Sequence, residues 1–402
     1  MNALLDATLS HLRALTAFDT RNPPRTIGTG GIFDYLRAQL PGFDVRVTDH
    51  DAGAVSLHAV RGNPKLLFNV HLDTVPDSPK WSASPFELRV TDHHAVGLGA
   101  CDVKGAAAGL LAAANACDGD MAVLFTTDEE GADPRCVAHF LQSLPSPSGR
   151  RWREAPDEGT RSPGFHGDAQ PSPQPLSRGA RGFEAVIVAE PTCCQAVPAH
   201  RGIQSVRLRF EGKAGHASGE QKPTDSALHQ AVRWSAAALD FAELQAAEVF
   251  GGLHGLRFNL GRFEGGIKPN MIAPDAEIRF GMRPLPSMDM DALLERLRGL
   301  ADPAPAVFTE TFRGPPLPAC DAAQAGRRHR DACALAEKLG LPVGGAVDFW
   351  TEAALFSAAG CTTFVYGPGD IAQAHSADEW VELAQLQRYA ESVLHIVEGG
   401  LA

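Results

Sequence analysis

This chain reads as an α/β protein built on a mostly parallel sheet, with a smaller α+β domain inserted into it. Three observations predict that class. Short apolar runs at Leu66–Val70, Met121–Thr127 and Ala185–Ala189 alternate with helical patterns, as in a parallel sheet covered by helices. From about Ala199 the rhythm changes to period-2 alternation, which suits an antiparallel sheet with one wet face. Beyond about Pro315 helical patterning resumes, and the run Thr363–Tyr366 returns to the first kind of strand.

Each element has its own signal. Within Met1–Thr20, Leu4, Leu5, Leu9, Leu12 and Leu15 are spaced along the segment with Asp6 among them, which predicts an amphipathic surface helix rather than a signal peptide. Val103–Ala116 is an Ala-rich helix opening after Asp102, and Arg135–Ser143 is a shorter one opening after Pro134. In the insert, Ser205–Phe210, Leu256–Phe263 and Glu277–Met282 alternate, while Ala227–Ala246 and Met288–Leu300 are helical. Asp321–Leu339 and Glu382–Val397 complete the helices. The expected organisation is one domain from 1–198 and 316–402, with 199–315 as the insert. Residues 144–182 hold seven Pro, six Gly, six Arg and five Ser with almost no aliphatic side chains, too little to bury for a packed element, and are expected to form a flexible insertion.

Composition excludes several functions. With 402 residues and 44% apolar content, the chain has ample material for more than one core. Its 36 Lys and Arg against 48 Asp and Glu give 36 − 48 = −12, the wrong sign for binding nucleic acid or an anionic membrane. The longest apolar stretch, around Ala106–Ala114, is far short of the roughly 20 residues that span a bilayer. Eight cysteines with no C-x-x-C pair are expected to be free thiols in a reducing cytoplasm.

In an open parallel sheet, ligands bind beyond the carboxyl ends of the strands. There the chain carries His71-Leu-Asp73, Asp128-Glu129-Glu130, Glu190-Pro-Thr and Ala374-His375-Ser376, and a Gly-rich loop, Gly97 to Gly105, puts Asp102 at a helix start. So many carboxylates cannot all ionise in one low-dielectric cleft unless positive charge sits among them, and a metal centre supplies it. Imidazole and carboxylate donors suit Zn, Co or Mn, and the excess of acids over one tetrahedron points to two ions bridged by a carboxylate. A dinucleotide fingerprint starting at Gly97 would need a third glycine at position 102, which is Asp102. Cys101 has no histidine nearby in sequence to activate it and reads as a small buried hydrophobe.

Taken together, His71-Leu-Asp73-Thr-Val-Pro, Gly97-Leu-Gly-Ala-Cys-Asp102-Val-Lys-Gly, Thr127-Asp-Glu129-Glu130, Ala189-Glu190-Pro-Thr, Gly215-His216-Ala-Ser and Gly367-Pro-Gly-Asp-Ile-Ala-Gln-Ala-His375 resemble the dinuclear zinc amidohydrolases that act on N-acyl amino acids, over nearly the whole chain. The resemblance implies two divalent ions, Zn or Co, with His71 and Glu190 on one, Glu130 and His375 on the other, and Asp102 bridging. It implies that Asp73 orients His71 and that Glu129 is the general base. It further implies that 199–315 is a dimerisation or lid domain, with a homodimer in which His216 reaches the partner subunit's site and steadies the oxyanion, while Asn270 and Arg283 grip the substrate carboxylate. Its arginine-biosynthesis members are the nearest in the segments around Glu352 and His375. This leads to N-acetylcitrulline as the expected small-molecule substrate, with N-acetylornithine as the alternative. Phe349 and Trp350 favour the neutral ureido side chain slightly, and Glu352 could serve either. A desuccinylase, a dipeptidase and a non-catalytic dimeric binding homologue share the scaffold; retention of every ligand and of Glu129 argues against the last.

Overall fold

The computed structural model describes residues 3–131, 135–144, 182–220 and 222–400. Apart from its two end residues, the stretch expected as a flexible insertion at 144–182 lies outside them.

Three strands without a polar face make the centre of the main sheet. Leu66–His71, Met121–Thr126 and Ala185–Val188 are buried along their whole lengths, which explains why they read as continuous apolar runs rather than alternating ones. Leu66–His71 lies between the other two and is parallel to both. The register sets His71 level with Thr126, and Asn69 level with Val188. All three carboxyl ends therefore open on one edge. Val55–Arg61 and Asp44–Asp49 extend the sheet antiparallel, and Thr362–Val365 lies at its opposite border.

The helices Ala3–Thr16, Lys104–Ala116 and Leu383–Gly399 pack on one another. Lys104–Ala116 is buried from Lys104 to Ala114, and its small side chains let neighbours approach closely. A Cβ at Gly109 would lie 2.8 Å from the Tyr389 ring, so glycine is needed there. Leu12, Leu15, Tyr389 and Val393 are sealed from solvent, each contributing about 2 kcal/mol of burial.

The chain divides into two compact units: Met1–Cys194 with Phe356–Thr362 and Tyr366–Ala402, and Gln195–Leu355 with Thr363–Val365. Segment 316–355, expected from the pattern to belong with the return to the first domain, groups with the second unit. The reason is local pairing. Leu317 and His200 exchange backbone hydrogen bonds of 3.0 and 3.1 Å, and Val347 donates to the Ala199 carbonyl at 3.1 Å. The buried Arg201 guanidinium binds Asp348 at 2.5 Å.

The second unit carries a four-stranded antiparallel sheet in the order Arg257–Gly265, Asp275–Arg283, Ile203–Glu211, Val307–Gly314. One face packs on Ala227–Leu244 and Met290–Arg298, which are capped by Ser226 and Asp289. Trp234 sits in that core with Leu208, Phe210, Ile278, Phe280 and Leu297, and its indole N–H donates to the Leu297 carbonyl at 2.8 Å. All eight cysteines are free, and among the described residues no helix is long and apolar enough to cross a membrane.

Candidate metal centre

The site is assembled at the carboxyl edge of the parallel strands, within the first unit. His71 is the last residue of its strand and is buried. Its Nδ1 donates to the Asp73 carbonyl at 3.0 Å and lies 3.5 Å from Asp73 Oδ1. That occupation of Nδ1 turns Nε2 toward Asp102 Oδ1 at 3.1 Å and Glu190 Oε1 at 3.7 Å. Glu190 follows the Ala185–Val188 strand, where Ala189 still donates to the Asn69 carbonyl at 2.8 Å.

After Met121–Thr126 the chain turns under tight restraint. Thr127 Oγ1 accepts from the Val55 amide at 2.8 Å. The fully buried Asp128 accepts from the amides of Arg135 and Cys136 and pairs with Arg25 at 3.4 Å. These contacts hold the turn that carries Glu129 and Glu130. On the far side, His375, in left-handed backbone conformation, brings Nε2 to 2.9 Å from Glu130 Oε1 and 3.3 Å from Asp102 Oδ2.

Asp102 is therefore flanked by two imidazoles, one on each carboxylate oxygen. Three residue groups have ligand atoms close enough to hold a metal ion: His71, Asp102 and Glu190; Asp102, Glu130 and His375; and His71, Glu129 and Glu130. The first two share Asp102.

The electrostatics of the cluster ask for a cation. Burial, with Glu190 beside it, pushes Glu129 well above the usual carboxylate range. Burial also raises Glu190 to about 7, and its Oε1 is buried without a hydrogen-bond partner. Burial opposes ionisation of Asp102, but hydrogen bonds from His375 and His71 outweigh it and hold that carboxyl low. Those contacts in turn raise His375 to about 10. His71 is raised too: burial works against its charge, yet Glu190 and the neighbouring aspartates prevail. A divalent cation would replace the protons that these imidazoles need to hold the carboxylates, and the nitrogen and oxygen donors present fit one.

The remaining sequence-singled residues belong to the second unit. His216 is exposed in a two-residue strand, Gly215–His216, that pairs with Met271–Ile272. Its Nδ1 accepts from the Ser218 amide at 3.3 Å and lies 2.7 Å from Ser218 Oγ, so its Nε2 carries the proton. Asn270 is beside it, its carbonyl accepting from Ala217 at 3.0 Å. Arg283 ends its strand half-buried, and burial lowers its affinity for its proton. Glu352 is buried. Two contributors escaped the sequence reading. Glu379 accepts from the amides of Gly99, Cys101 and Asp102 at 3.1, 2.8 and 2.9 Å, and Asn22 donates to Asp73 Oδ2 at 2.9 Å. The only hint for Glu379 is its place four residues beyond His375.

Residues 67–399 match Peptidase family M20/M25/M40. The chain belongs to that family. As an M20 protein it is a metal-dependent amidohydrolase. It is 60% identical over 401 residues to the N-acetyl-L-citrulline deacetylase of Xanthomonas campestris pv. campestris, covering 99% of this chain and 100% of that protein. It is 28% identical to the acetylornithine deacetylase of Pectobacterium atrosepticum, over 84% of this chain and 80% of that one. The M20 fold is shared with the YXEP protein of Bacillus subtilis, a dinuclear metal-binding peptidase. There the TM-score is 0.61 at 14% identity, covering 98% of this chain and 99% of that one.

Proposed function

We propose that this enzyme hydrolyses N-acetyl-L-citrulline to L-citrulline and acetate, a step of arginine biosynthesis in the cytoplasm, using two divalent ions, Zn or Co. The observation that carries the chemistry is Asp102, with an imidazole on each carboxylate oxygen. The choice of substrate rests on the 60% identity with an N-acetylcitrulline deacetylase along the whole chain.

In this reading His71 and Glu190 would hold one ion, Glu130 and His375 the other, and Asp102 would serve both. The ions, when bound, supply Lewis acidity to the amide carbonyl and to the attacking water. Asp73 fixes the ring of His71 through Nδ1. Glu129 takes the proton of the water that attacks the carbonyl carbon, and passes it to the amine nitrogen as the C–N bond breaks. Burial, with Glu190 beside it, raises its proton affinity, which suits that shuttle.

His216 of a second copy would donate from Nε2–H to the developing oxyanion, and the hydrogen bonds at its Nδ1 support that tautomer. A homodimer is further supported by the second unit's outer surface. Val232 and Leu239 lie exposed on the Ala227–Leu244 helix, and Phe263 is exposed on the border strand Arg257–Gly265. Asn270 and Arg283 would grip the substrate carboxylate, with Glu352 lining the side-chain pocket. Eight free thiols are consistent with a cytoplasmic setting.

N-acetylornithine is the second reading, favoured by the acetylornithine deacetylases among the relatives. The test is kcat/KM for N-acetylcitrulline, N-acetylornithine and a plain N-acetyl amino acid, with metal-loaded and chelated protein. Preference for acetylcitrulline that disappears with chelator is the expected result. Preference for acetylornithine would move the substrate while keeping the chemistry, and turnover that survives full metal removal would overturn both.

A further inference from the structure

Asn22 lies in Thr20-Arg-Asn-Pro-Pro24, well before residue 67, where the family match begins. It is nonetheless buried, at 4% exposure, against the centre of the site. Its backbone is sewn to the segment that follows the His71 strand: Asn22 N–H donates to the Thr74 carbonyl at 2.8 Å, and Thr74 N–H donates to the Thr20 carbonyl at 3.0 Å. Its side-chain Nδ2 donates to Asp73 Oδ2 at 2.9 Å.

Asp73 Oδ2 receives a second donor, the backbone N–H of Glu130, at 3.0 Å. One carboxylate oxygen thus joins three segments: the N-terminal strap, the end of the His71 strand, and the turn carrying Glu129 and Glu130. With Oδ2 held from two sides, Oδ1 is left facing His71 Nδ1 at 3.5 Å. Gly131 makes room for this arrangement, because a Cβ there would lie 2.7 Å from Asn22 Nδ2.

The residue type matters. A neutral amide donor fixes the carboxylate without cancelling its charge, so Asp73 keeps its full influence on the imidazole; Lys or Arg in the same place would draw that charge away. Asp73 has no exposed surface, so removing the amide strips a donor from a carboxylate oxygen that is buried.

We infer that Asn22 is a positioning residue for the metal centre, acting through Asp73 on His71 and on the Glu130 turn. The inference rests on the metal-centre reading above. It is tested on the full chain by titrating cobalt(II) alone and following affinity, stoichiometry and the visible absorption bands, for the unaltered protein and for Asn22→Ala, Asp73→Ala and the double variant. Thermal unfolding of each metal-free protein is recorded alongside.

Asn22→Ala should weaken cobalt binding about 10-fold and alter the bands, and in the Asp73→Ala background it should add nothing further. Asn22→Asp, which keeps the shape but sets a carboxylate against Asp73, should weaken binding more than Asn22→Ala, and serves if the alanine variant does not fold. Unchanged affinity in a folded Asn22 variant, a lowered unfolding temperature with cobalt binding intact, or losses that add in the double variant would each overturn the inference. Failure of the unaltered protein to bind cobalt would instead overturn the metal-centre reading, and the inference with it.

Discussion

Glu379 Oε1 accepts the backbone N–H groups of both Cys101 and Asp102, at 2.8 and 2.9 Å. A carboxylate from near the C-terminus thereby sets the direction in which the Asp102 side chain leaves its loop. Its other oxygen takes the Gly99 amide at 3.1 Å. Glutamine at 379 turns an NH2 group toward one of these N–H donors. Glu379→Gln should lower kcat/KM by about 100-fold, the scale expected when reacting groups shift by about 1 Å. Steady-state kinetics on metal-loaded protein checks this, and kinetics equal to the unaltered enzyme would deny Glu379 its hold on the loop.

Glu129 stands beside Glu130 yet can act separately. If it moves the proton, Glu129→Gln should lower kcat by about 1,000-fold while leaving the metal content of the protein unchanged. Turnover and elemental analysis on the same preparation decide it. Loss of metal in step with activity would make Glu129 a ligand.

His200 gives the second unit a pH dependence. Its Nδ1 donates to the Arg201 carbonyl at 2.8 Å and its Nε2 accepts from the Thr351 hydroxyl at 3.1 Å. Burial, aided by the nearby charge of Arg283, pushes the imidazole down to about 4 from its ordinary 6.5. The unfolded chain therefore takes up a proton that the folded chain refuses. The contribution is complete above pH 6.5 and is lost as pH falls from 6.5 toward 4, amounting to about 3 kcal/mol. Urea unfolding across that range should show the slope, and His200→Gln should flatten it. An equal slope in the variant would assign the effect to other groups.

Asp128 is fully buried, caps the Cys136–Ser143 helix from outside and neutralises Arg25. Asp128→Ala should cost about 3 kcal/mol, because it removes a buried carboxylate that accepts two backbone N–H groups and pairs with Arg25. Differential scanning calorimetry measures the change, and a shift near zero would deny Asp128 its hold on the turn.

The legible parts of this molecule were those whose environment is uniform along the chain. Leu66–His71 and Met121–Thr126 announce themselves because both faces are buried. His71, Glu129, Glu130 and Glu190 stood out because each follows such a run directly. The antiparallel pair Asp44–Asp49 and Val55–Arg61 did not, since one strand is half-exposed and the other carries His58 within it. Alternation and helical period identify an element but not its neighbour, so the pattern alone groups 316–355 with the first domain although its hydrogen bonds run to Ala199 and His200. Asn22 and Glu379 were out of reach for the same reason: each acts through one short polar contact with a segment far away in sequence.

The residues of the site come from five separate stretches of chain, beginning at position 71 and ending at position 375. No fragment can carry more than a part of it, and the stretches meet only when the parallel strands are in register. Metal binding and completion of the first unit are thus thermodynamically linked. A cation that binds only the finished arrangement stabilises it by mass action, so the melting temperature of this protein becomes a gauge of free metal in its surroundings.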